Sequence, residues 1–390
     1  MRRILKKEYV FAVLLGVLFF GELTGCRKEE RINRSTETET NDRQNGPIKG
    51  FFLLNEGNMG SNKSTLDYYD YETGIYTKNI FAERNPGVVK ELGDVGNDIQ
   101  IYGDKLYAVI NCSHFVEVMD VNTAKHIKAV SIPNCRYIVF KGKYAYVSSY
   151  AGPVKIDPNA RLGYVARMDT SDLKVIDTCV VGYQPDEMVI WGDKLYVANS
   201  GGYRVPNYDS TVSVIDLNTF KVIKTIDVAI NLHRLELDSD GYIWVSSRGD
   251  YYGVPSKTFV IDPRTDKVIE RFNLPNSNMT RCGDSIYVYS CEWSYLTSSN
   301  TITYAIINTK TRRVVTRNFI KDGTEKTIKV PYGIAVNPNS HDFIVTDATD
   351  YVTPGYVHCF DRYGKKKWTV NAGDIPAHIV FTHKKLQPLD

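Results

Sequence analysis

The sequence lacks the short motifs that mark the commonest catalytic sites. It contains no G-x-S-x-G, no H-E-x-x-H and no P-loop, which argues against an α/β-hydrolase, a zinc protease and a P-loop nucleotidase. Its seven cysteines form no C-x-x-C pair and no Cys/His spacing typical of a zinc site. We therefore predict no catalytic residue, no metal site and no cofactor, and we expect a protein that is not an enzyme.

An excess of one charge is missing as well. The chain has 48 Lys and Arg against 45 Asp and Glu, and residues 1–25 contain four of the basic and two of the acidic residues, so the remainder has a net charge of +1. Proteins that bind nucleic acid carry a basic face or stripe, and nothing in this balance indicates one. We expect no nucleic-acid partner.

Long apolar runs are also absent, apart from residues 10–20, which are too few to span a bilayer comfortably. This run follows a basic start and precedes L-T-G-C at residues 23–26, which resembles a bacterial lipobox. We predict a signal peptide over residues 1–25, a lipid on Cys26 and a flexible polar tether through residue 47. The alternative is an ordinary cleaved signal peptide.

What the sequence does have is a repeat. Seven times a short alternating strand follows a turn residue and leads into a loop rich in Tyr, Asn and Ser. The strands start at Gly50, Gly103, Gly142, Gly192, Gly241, Gly283 and His341, at intervals of 39 to 58 residues. A hydrophobic residue followed by Asp or Asn then enters a tight turn in every unit, at Tyr69, Met119, Met168, Ile215, Ile261, Ile307 and Phe360. A period of about 40–50 residues with several strands per unit is typical of β-propellers.

We therefore predict an all-β, seven-bladed β-propeller with four-stranded blades over residues 48–390. The innermost strands are expected at residues 98–102, 136–140, 187–191, 233–238, 278–282, 332–337 and 377–381. The last of these has no second strand after it, and the first unit begins at its second strand. The C-terminal strand should therefore complete the first blade and leave no open sheet edge.

The loops divide between two ends of such a ring. Turns between the first and second strands and between the third and fourth strands are short and must share one end, which we call the turn face. The loops after the second strands lie at the opposite end, which we call the loop face. The long ones cover residues 148–163, 198–210, 246–257, 289–300 and 347–355. Because function concentrates on long loops carried by a rigid scaffold, the loop face is the predicted working side.

The loop face is rich in aromatic and amide side chains, a mixture typical of binding surfaces. The predicted ligand-binding residues are Asn58, Asn111, Tyr150, Asn199, Tyr203, Arg248, Tyr251, Trp293 and Tyr351. The alternative is that Tyr is simply common in β-proteins. Tyr107, Tyr146 and Tyr196, which share one repeated strand position, are expected to be structural.

Cysteines and histidines leave two questions open. Cys112 follows a second strand and Cys135 begins the next blade, so the two are candidates for a disulfide. His114, His233 and His378 are expected near the loop face but in separate blades, where inner-strand ends converge on the axis. A metal-dependent lactonase or lyase site built from them is one alternative function.

Two stretches carry a family resemblance. They are N-E-G-N-M-G-S-N at residues 55–62 with L-D-Y-Y-D at 66–70, and Y-G-I-A-V-N-P-N at 332–339 with V-T-D-A-T-D-Y at 345–351. With these, the chain resembles the YVTN/YncE-like propeller lipoproteins of Bacteroidetes, often labelled surface-layer proteins, over about residues 50–385. R-K-E-E at residues 27–30 is similar to the signal that exports such lipoproteins to the outer face of the outer membrane.

The resemblance implies a function. BtuG-like members of that group capture cobalamin, a bound ligand and not a cofactor, above a BtuB-type TonB-dependent transporter. We expect the same of this chain: a lipid-anchored, surface-exposed outer-membrane protein that binds cobalamin or a related corrinoid on its loop face. A protein- or glycan-binding surface scaffold or adhesin is the other alternative. The resemblance does not show which residues of this chain correspond to the ligand-binding residues of the BtuG-like proteins.

Overall fold

The repeats form seven antiparallel sheets arranged as blades of one ring, so the predicted seven-bladed β-propeller is confirmed. The computed structural model describes residues 35–88, 92–295 and 297–389. The signal peptide and the lipidated Cys26 predicted from the sequence lie outside these residues. Within them, no helix is long and apolar enough to cross a membrane.

Each blade runs outward from an innermost strand at the axis. Blade 1 consists of β2 (Gly50–Asn55), β3 (Thr65–Asp70), β4 (Ile75–Lys78) and β29 (Pro376–Thr382), with an additional outer strand β1 (Thr36–Glu39). Blade 2 consists of β5 (Gly96–Tyr102), β6 (Lys105–Ile110), β7 (Phe115–Asp120) and β8 (His126–Ser131). Blade 3 consists of β9 (Cys135–Lys141), β10 (Tyr144–Ser149), β11 (Tyr164–Asp169) and β12 (Lys174–Val180). Blade 4 consists of β13 (Pro185–Trp191), β14 (Lys194–Asn199), β15 (Thr211–Asp216) and β16 (Lys221–Asp227).

The remaining blades follow the same order. Blade 5 consists of β17 (Leu232–Leu237), β18 (Ile243–Ser247), β19 (Lys257–Asp262) and β20 (Lys267–Phe272). Blade 6 consists of β21 (Asn278–Cys282), β22 (Ser285–Ser294), β23 (Ser299–Asn308) and β24 (Arg313–Thr316). Blade 7 consists of β25 (Pro331–Val336), β26 (Phe343–Asp347), β27 (Pro354–Phe360) and β28 (Lys366–Asp374). A short helix α1 (Ile80–Arg84) and a 3-10 turn (Thr324–Lys326) lie between strands.

The ring closes as predicted. Strand β29 pairs antiparallel with β2, from Gly50 opposite Thr382 to Asn55 opposite Pro376, so the C-terminal strand is the innermost strand of blade 1. Hydrophobic clusters fill the spaces between neighbouring blades, and the repeated tyrosines Tyr107, Tyr146 and Tyr196 are buried in them. Those tyrosines are structural, as the repeat indicated.

The Asp that recurs in each unit has a local cause. Asp120 Oδ1 accepts hydrogen bonds from the backbone N–H groups of Asn122 (2.9 Å) and Thr123 (3.0 Å), which holds the tight turn between β7 and β8. Asn308 does the same for Thr311 in blade 6. A short side-chain acceptor at the first turn position explains why the marker is Asp or Asn in every unit.

One predicted loop is largely strand. The alternation of β22 continues to Ser294, and β23 begins again at Ser299, so most of residues 289–300 form an extended hairpin instead of a loop. Trp293 pairs with Asn300 near the end of this hairpin. The hairpin thereby carries an exposed aromatic side chain near its end.

The segment predicted as a flexible tether is partly ordered. Strand β1 pairs with β4 at the outer edge of blade 1, and Asp42 lies against blade 7. Asp42 Oδ2 accepts from Trp368 Nε1 at 3.0 Å and lies 2.9 Å from Lys367 Nζ. Composition did not predict this docking because the segment has no apolar face to bury. It is held instead by backbone pairing of β1 with β4 and by one side-chain acceptor, Asp42.

Replacing Asp42 by Ala should lower the free energy of unfolding by about 1–3 kcal/mol, because the Trp368 indole N–H, on a side chain that is largely buried, would lose its acceptor. Urea unfolding followed by tryptophan fluorescence measures the change. Glu39→Ala is the matched control, since it removes only an exposed ion pair with Arg43. Equal effects of the two substitutions would show that the segment is not docked through Asp42.

Candidate functional site

Bulges at the start of the inner strands shape the axis at the loop face. The pairing of the inner strand with its neighbour shifts register between Pro185 and Met188 in blade 4 and between Leu232 and Leu235 in blade 5, and similar shifts occur in four other blades. A bulge re-aims the side chains of the residues it contains. In this ring it turns polar side chains from successive blades toward one central cavity.

This cavity has a volume of about 740 Å³. Its floor is lined by residues at the start of the inner strands, namely Asn97, Arg136, Tyr137, His233, Arg234, Asn278, Tyr332 and His378. Its wall and rim come from the long loops, with Tyr150, Tyr203, Arg248, Tyr251, Tyr252, Trp293 and Tyr351. The loop face thus presents a wide pocket with a charged floor and an aromatic rim.

Several side chains that line the cavity are held by Asp186, which is itself fully buried. Its Oδ1 lies 3.1 Å from Arg136 Nε and accepts from the Tyr150 hydroxyl at 2.7 Å. Its Oδ2 lies 3.4 Å from Arg248 Nη1. Burial alone would raise the pKa of Asp186, but the positive charges of Arg136 and Arg248 outweigh it and hold that pKa below its usual range. Asp186 is therefore a carboxylate shared by two guanidinium groups.

His233 beside this group is neutral. Burial, followed by the charge of Arg248, lowers the pKa of His233 well below its usual value. His233 Nδ1 lies 2.9 Å from Arg248 Nη2 and 3.3 Å from Asp186 Oδ2. The shorter contact is with a guanidinium, which only donates, so in a neutral imidazole Nδ1 accepts from Arg248. The imidazole therefore positions Arg248 and adds no charge to the floor.

A second group on the floor is formed around Arg234. Its Nε donates to Asn278 Oδ1 at 2.8 Å, its Nη1 donates to the Tyr137 hydroxyl at 3.0 Å, and Nη1 lies 3.4 Å from Glu187 Oε1. On the far side, Glu56 accepts from the Tyr332 hydroxyl at 2.8 Å and lies 3.0 Å from His378 Nε2. Arg234 and Glu56 are therefore each paired with an ionisable side chain, Glu187 and His378 respectively. Both partners lie outside the Arg136–Asp186–Arg248 group.

The rim is aromatic and exposed. Tyr251, Trp293 and Tyr351 expose 37%, 40% and 41% of their surface although they are large hydrophobic side chains. Tyr252 and Tyr295 stack with ring centres 4.9 Å apart beside them. Exposed aromatic groups that surround a concave site are typical of surfaces that bind a ligand.

The structure brings together seven of the nine residues predicted as ligand-binding, because all seven line the cavity: Asn111, Tyr150, Tyr203, Arg248, Tyr251, Trp293 and Tyr351. Asn58 lies outside its lining and donates to the Tyr351 carbonyl at 2.8 Å, so it holds a rim loop. Asn199 is fully buried and donates to Thr211 Oγ1 (3.0 Å) and Ser213 Oγ (2.9 Å). Asn111 lines the cavity but donates to the Cys135 carbonyl at 2.9 Å.

Sequence reasoning missed Arg136, Asp186, Arg234 and Glu56. All but Glu56 lie within inner strands, where a charged residue cannot be distinguished by sequence from one that points to solvent. The bulges that turn these side chains inward are not visible in the residue pattern either. One signal was present: charged residues recur at the start of inner strands that are otherwise apolar, as in R-Y-I-V-F at 136–140 and D-E-M-V-I at 186–190. Charge at the buried end of a central strand needs a partner or a ligand.

Cysteine and metal predictions have separate outcomes. Cys112 and Cys135 are both free, and Cys135 Sγ instead lies 3.3 Å from the Phe115 carbonyl, so the candidate disulfide does not form. His233 and His378 line the cavity, whereas His114 bonds to the backbone of Asn111 and Asn134 outside it. Within residues 35–88, 92–295 and 297–389, no three His, Cys, Asp or Glu side chains are grouped so that they could hold a metal ion.

Two glutamates on the inner strands of blades 4 and 5 give the protein a pH dependence. Burial, followed by repulsion from Glu187, raises the pKa of Glu236 from its ordinary 4.5 to about 7. The pKa of Glu187 is also raised to about 7 by burial, against the opposing charge of Arg234. Because the folded state holds these protons more tightly than the unfolded chain, both groups lower stability as the pH rises from about 4.5 through 7.

Glu236→Gln should therefore be more stable than the wild type at pH 8, by on the order of 1–3 kcal/mol, and this difference should vanish near pH 4.5. Chemical unfolding at several pH values measures it. Glu270→Gln, which changes a half-exposed carboxylate on the outer strand β20, is the control and should show no comparable trend. A Glu236→Gln difference that does not depend on pH would contradict the raised pKa.

Residues 49–382 match a family model described as "Domain of unknown function (DUF5074)". The chain belongs to the DUF5074 family. No curated protein sequence is significantly similar to it. The family assignment covers the whole ring, including the closing strand β29, and does not itself state a function.

Solved structures similar to this DUF5074 chain share its fold. Hydrazine synthase of Kuenenia stuttgartiensis matches with a TM-score of 0.54 and 18% identity over 68% of this chain and 76% of that one. A quinonprotein alcohol dehydrogenase-like protein of Bacteroides thetaiotaomicron matches with a TM-score of 0.54 and 16% identity over 87% of this chain and 79% of that one. At such identities the likeness shows the propeller fold alone, and neither it nor the DUF5074 match gives evidence of catalysis.

Proposed function

We propose that this chain is a surface binding protein that captures cobalamin or a related corrinoid in the loop-face cavity. The observation that carries the proposal is the form of the site: about 740 Å³ of open volume between an exposed aromatic rim and a floor of arginine, amide and hydroxyl groups. A corrin ring is broad and flat, and its edge carries amide side chains. The aromatic rim suits its faces, and the polar lining suits its amides.

The proposal includes a role at the cell surface. A lipid on Cys26 would anchor the protein to the outer membrane, and a TonB-dependent transporter of the BtuB type would receive the ligand. The lipobox, the R-K-E-E signal at residues 27–30 and the family resemblance support this part. Membrane contact would then be through the lipid alone, with the ring outside the bilayer.

The proposed role is binding and not catalysis. Two carboxylates at the floor are paired or held by hydrogen bonds: Asp186 by two arginines and Tyr150, and Glu56 by Tyr332 and His378. A general base needs an accessible acceptor and a nucleophile within hydrogen-bond reach. The Asp186 carboxylate is fully buried and forms ion pairs with Arg136 and Arg248.

A second candidate, a scaffold that binds glycan on the loop face, is favoured by one observation. The Tyr252 and Tyr295 rings are stacked yet expose 59% and 57% of their surface beside the cavity. Such a flat aromatic patch suits the apolar face of a sugar ring. A glycan array probed with the full-length protein tests this candidate, and Tyr252→Ala should abolish any signal that depends on the stack.

Isothermal titration of cyanocobalamin into the full-length protein in detergent tests the leading proposal. We expect one molecule of cyanocobalamin to bind per protein, with a dissociation constant in the micromolar range or lower. Absence of heat, together with absence of comigration on gel filtration, would reject it. A positive glycan array with no corrinoid binding would favour the scaffold role instead.

A further inference from the structure

The Arg136 guanidinium is held by a single ion pair and lies over the rings of Tyr150 and Tyr137. Its Nε lies 3.1 Å from Asp186 Oδ1, and its carbon lies 4.8 Å from the centre of the Tyr150 ring. No residue that the structure describes accepts a hydrogen bond from its Nη1 or Nη2, although the side chain lines the cavity. The four N–H donors on these two nitrogens therefore have no hydrogen-bond partner among the described residues, on a side chain that lines the cavity.

The charge around Arg136 is unbalanced. Arg136 and Arg248 share the single carboxylate of Asp186, while His233 is neutral and Tyr150 keeps its proton because burial raises its pKa. The group therefore carries a net charge of +1. Glu187 pairs with Arg234, and Glu56 with His378 and Tyr332, so these carboxylates are engaged elsewhere on the floor.

Burial strengthens the effect of this charge. The Arg136 side chain is 12% exposed and that of Arg248 is 27% exposed, while Asp186 is fully buried. Coulomb attraction grows as water is excluded, and a buried positive charge without a counter-ion is costly. The fork of an arginine matches two oxygens of a carboxylate or phosphate.

We propose that Arg136 and Arg248 form an anion subsite on the floor of the cavity, which takes a monoanionic oxyanion, a phosphodiester or a carboxylate, from the bound ligand. This deepens the proposed function and rests on the same cavity. In a corrinoid with a nucleotide loop, the phosphodiester of that loop is the group that would fit. The Arg136 Nη groups would donate to its oxygens, and Asp186 would keep both guanidinium groups in position.

The test uses dimethyl phosphate, a monoanion, as a probe with the full-length protein, and follows the width of its phosphorus resonance. We expect broadening by the wild type and roughly tenfold or greater loss of affinity in Arg136→Gln. Arg136→Lys should recover part of it, since it restores charge without the fork. Arg167→Gln, whose arginine pairs with Asp177 on the outer strands of blade 3, is the control and should behave as the wild type. Acetate in competition distinguishes a carboxylate from a phosphodiester preference.

Arg136→Gln should fold, because Asp186 keeps Arg248 and Tyr150 as partners; if its melting temperature is much lower, Arg248→Gln is the second variant. Equal broadening by the wild type and by both variants, or none by the wild type, would overturn the subsite. Cyanocobalamin and cobinamide, which lacks the nucleotide phosphate, separate the two proposals. Broadening that depends on Arg136 without corrinoid binding would keep the subsite and reject the corrinoid. If corrinoid binding is unchanged by Arg136→Gln and dimethyl phosphate does not bind, the corrinoid proposal is kept and the anion subsite is rejected.

Discussion

A chain that ends at Ile375 is expected to lose its cooperative unfolding transition. The deletion removes β29, which supplies the innermost strand of blade 1 and the partner of β2. Without it, β2 becomes an open edge and the apolar contacts of Phe51 and Leu53 with Ile379 and Phe381 are lost. Loss of a whole inner strand should exceed the roughly 5–15 kcal/mol by which domains are stable.

Thermal unfolding followed by circular dichroism, together with limited proteolysis, measures this effect. The matched control ends after Gln387, which keeps β29 and the buried Leu386 and should melt like the wild type. A chain ending at Ile375 that melted at the wild-type temperature would show that closure by the C-terminal strand does not hold the ring together.

Replacing Tyr251 and Trp293 together by Ala should weaken cyanocobalamin binding about 100-fold or more. Aromatic anchors that are hot spots cost about 2 kcal/mol or more when truncated, and these two stand on the rims of neighbouring blades. Because they are 37% and 40% exposed, their loss should leave the melting temperature nearly unchanged. Isothermal titration and thermal unfolding of the same preparation measure both quantities.

The control for this pair is Asp193→Ala, on the turn face. The Asp193 side chain makes exposed contacts, an ion pair with Lys141 and a hydrogen bond with Asn218, so affinity and stability should both stay near the wild-type values. Loss of binding in Asp193→Ala, with binding retained in the double variant, would mean that the ligand meets the turn face.

The sequence was sufficient for the ring because successive blades repeat two local requirements. A turn with positive φ at Gly103, Gly142, Gly192 and Gly283 follows the inner strand, and an Asp or Asn acceptor closes the outer hairpin. Both are visible in one unit and reinforced by repetition. The docking of residues 36–46 was not predictable in this way, because it depends on one acceptor, Asp42, meeting Trp368 far along the chain.

The rim of the site could be predicted from the sequence, but the charged residues at its floor could not. Rim residues such as Tyr251 and Trp293 lie in long polar segments, where aromatic side chains stand out. Floor residues such as Arg136 and Asp186 come from different blades, and only the ring and the bulges bring them within 3.1 Å. The predicted residue Asn199 is buried within blade 4, where its amide donates to Thr211 and Ser213.

Hydrogen–deuterium exchange of the full-length protein, with and without saturating cyanocobalamin, tests most directly whether the loop-face cavity is the binding site. We expect protection in peptides that cover residues 246–257, 289–295 and 347–355, and in those that begin the inner strands at Arg136 and His233. The tight turns around Gly103, Gly192 and Gly283 should exchange at unchanged rates. Protection confined to those turns, or no protection anywhere under saturating ligand, would contradict the assignment of the loop face as the binding side.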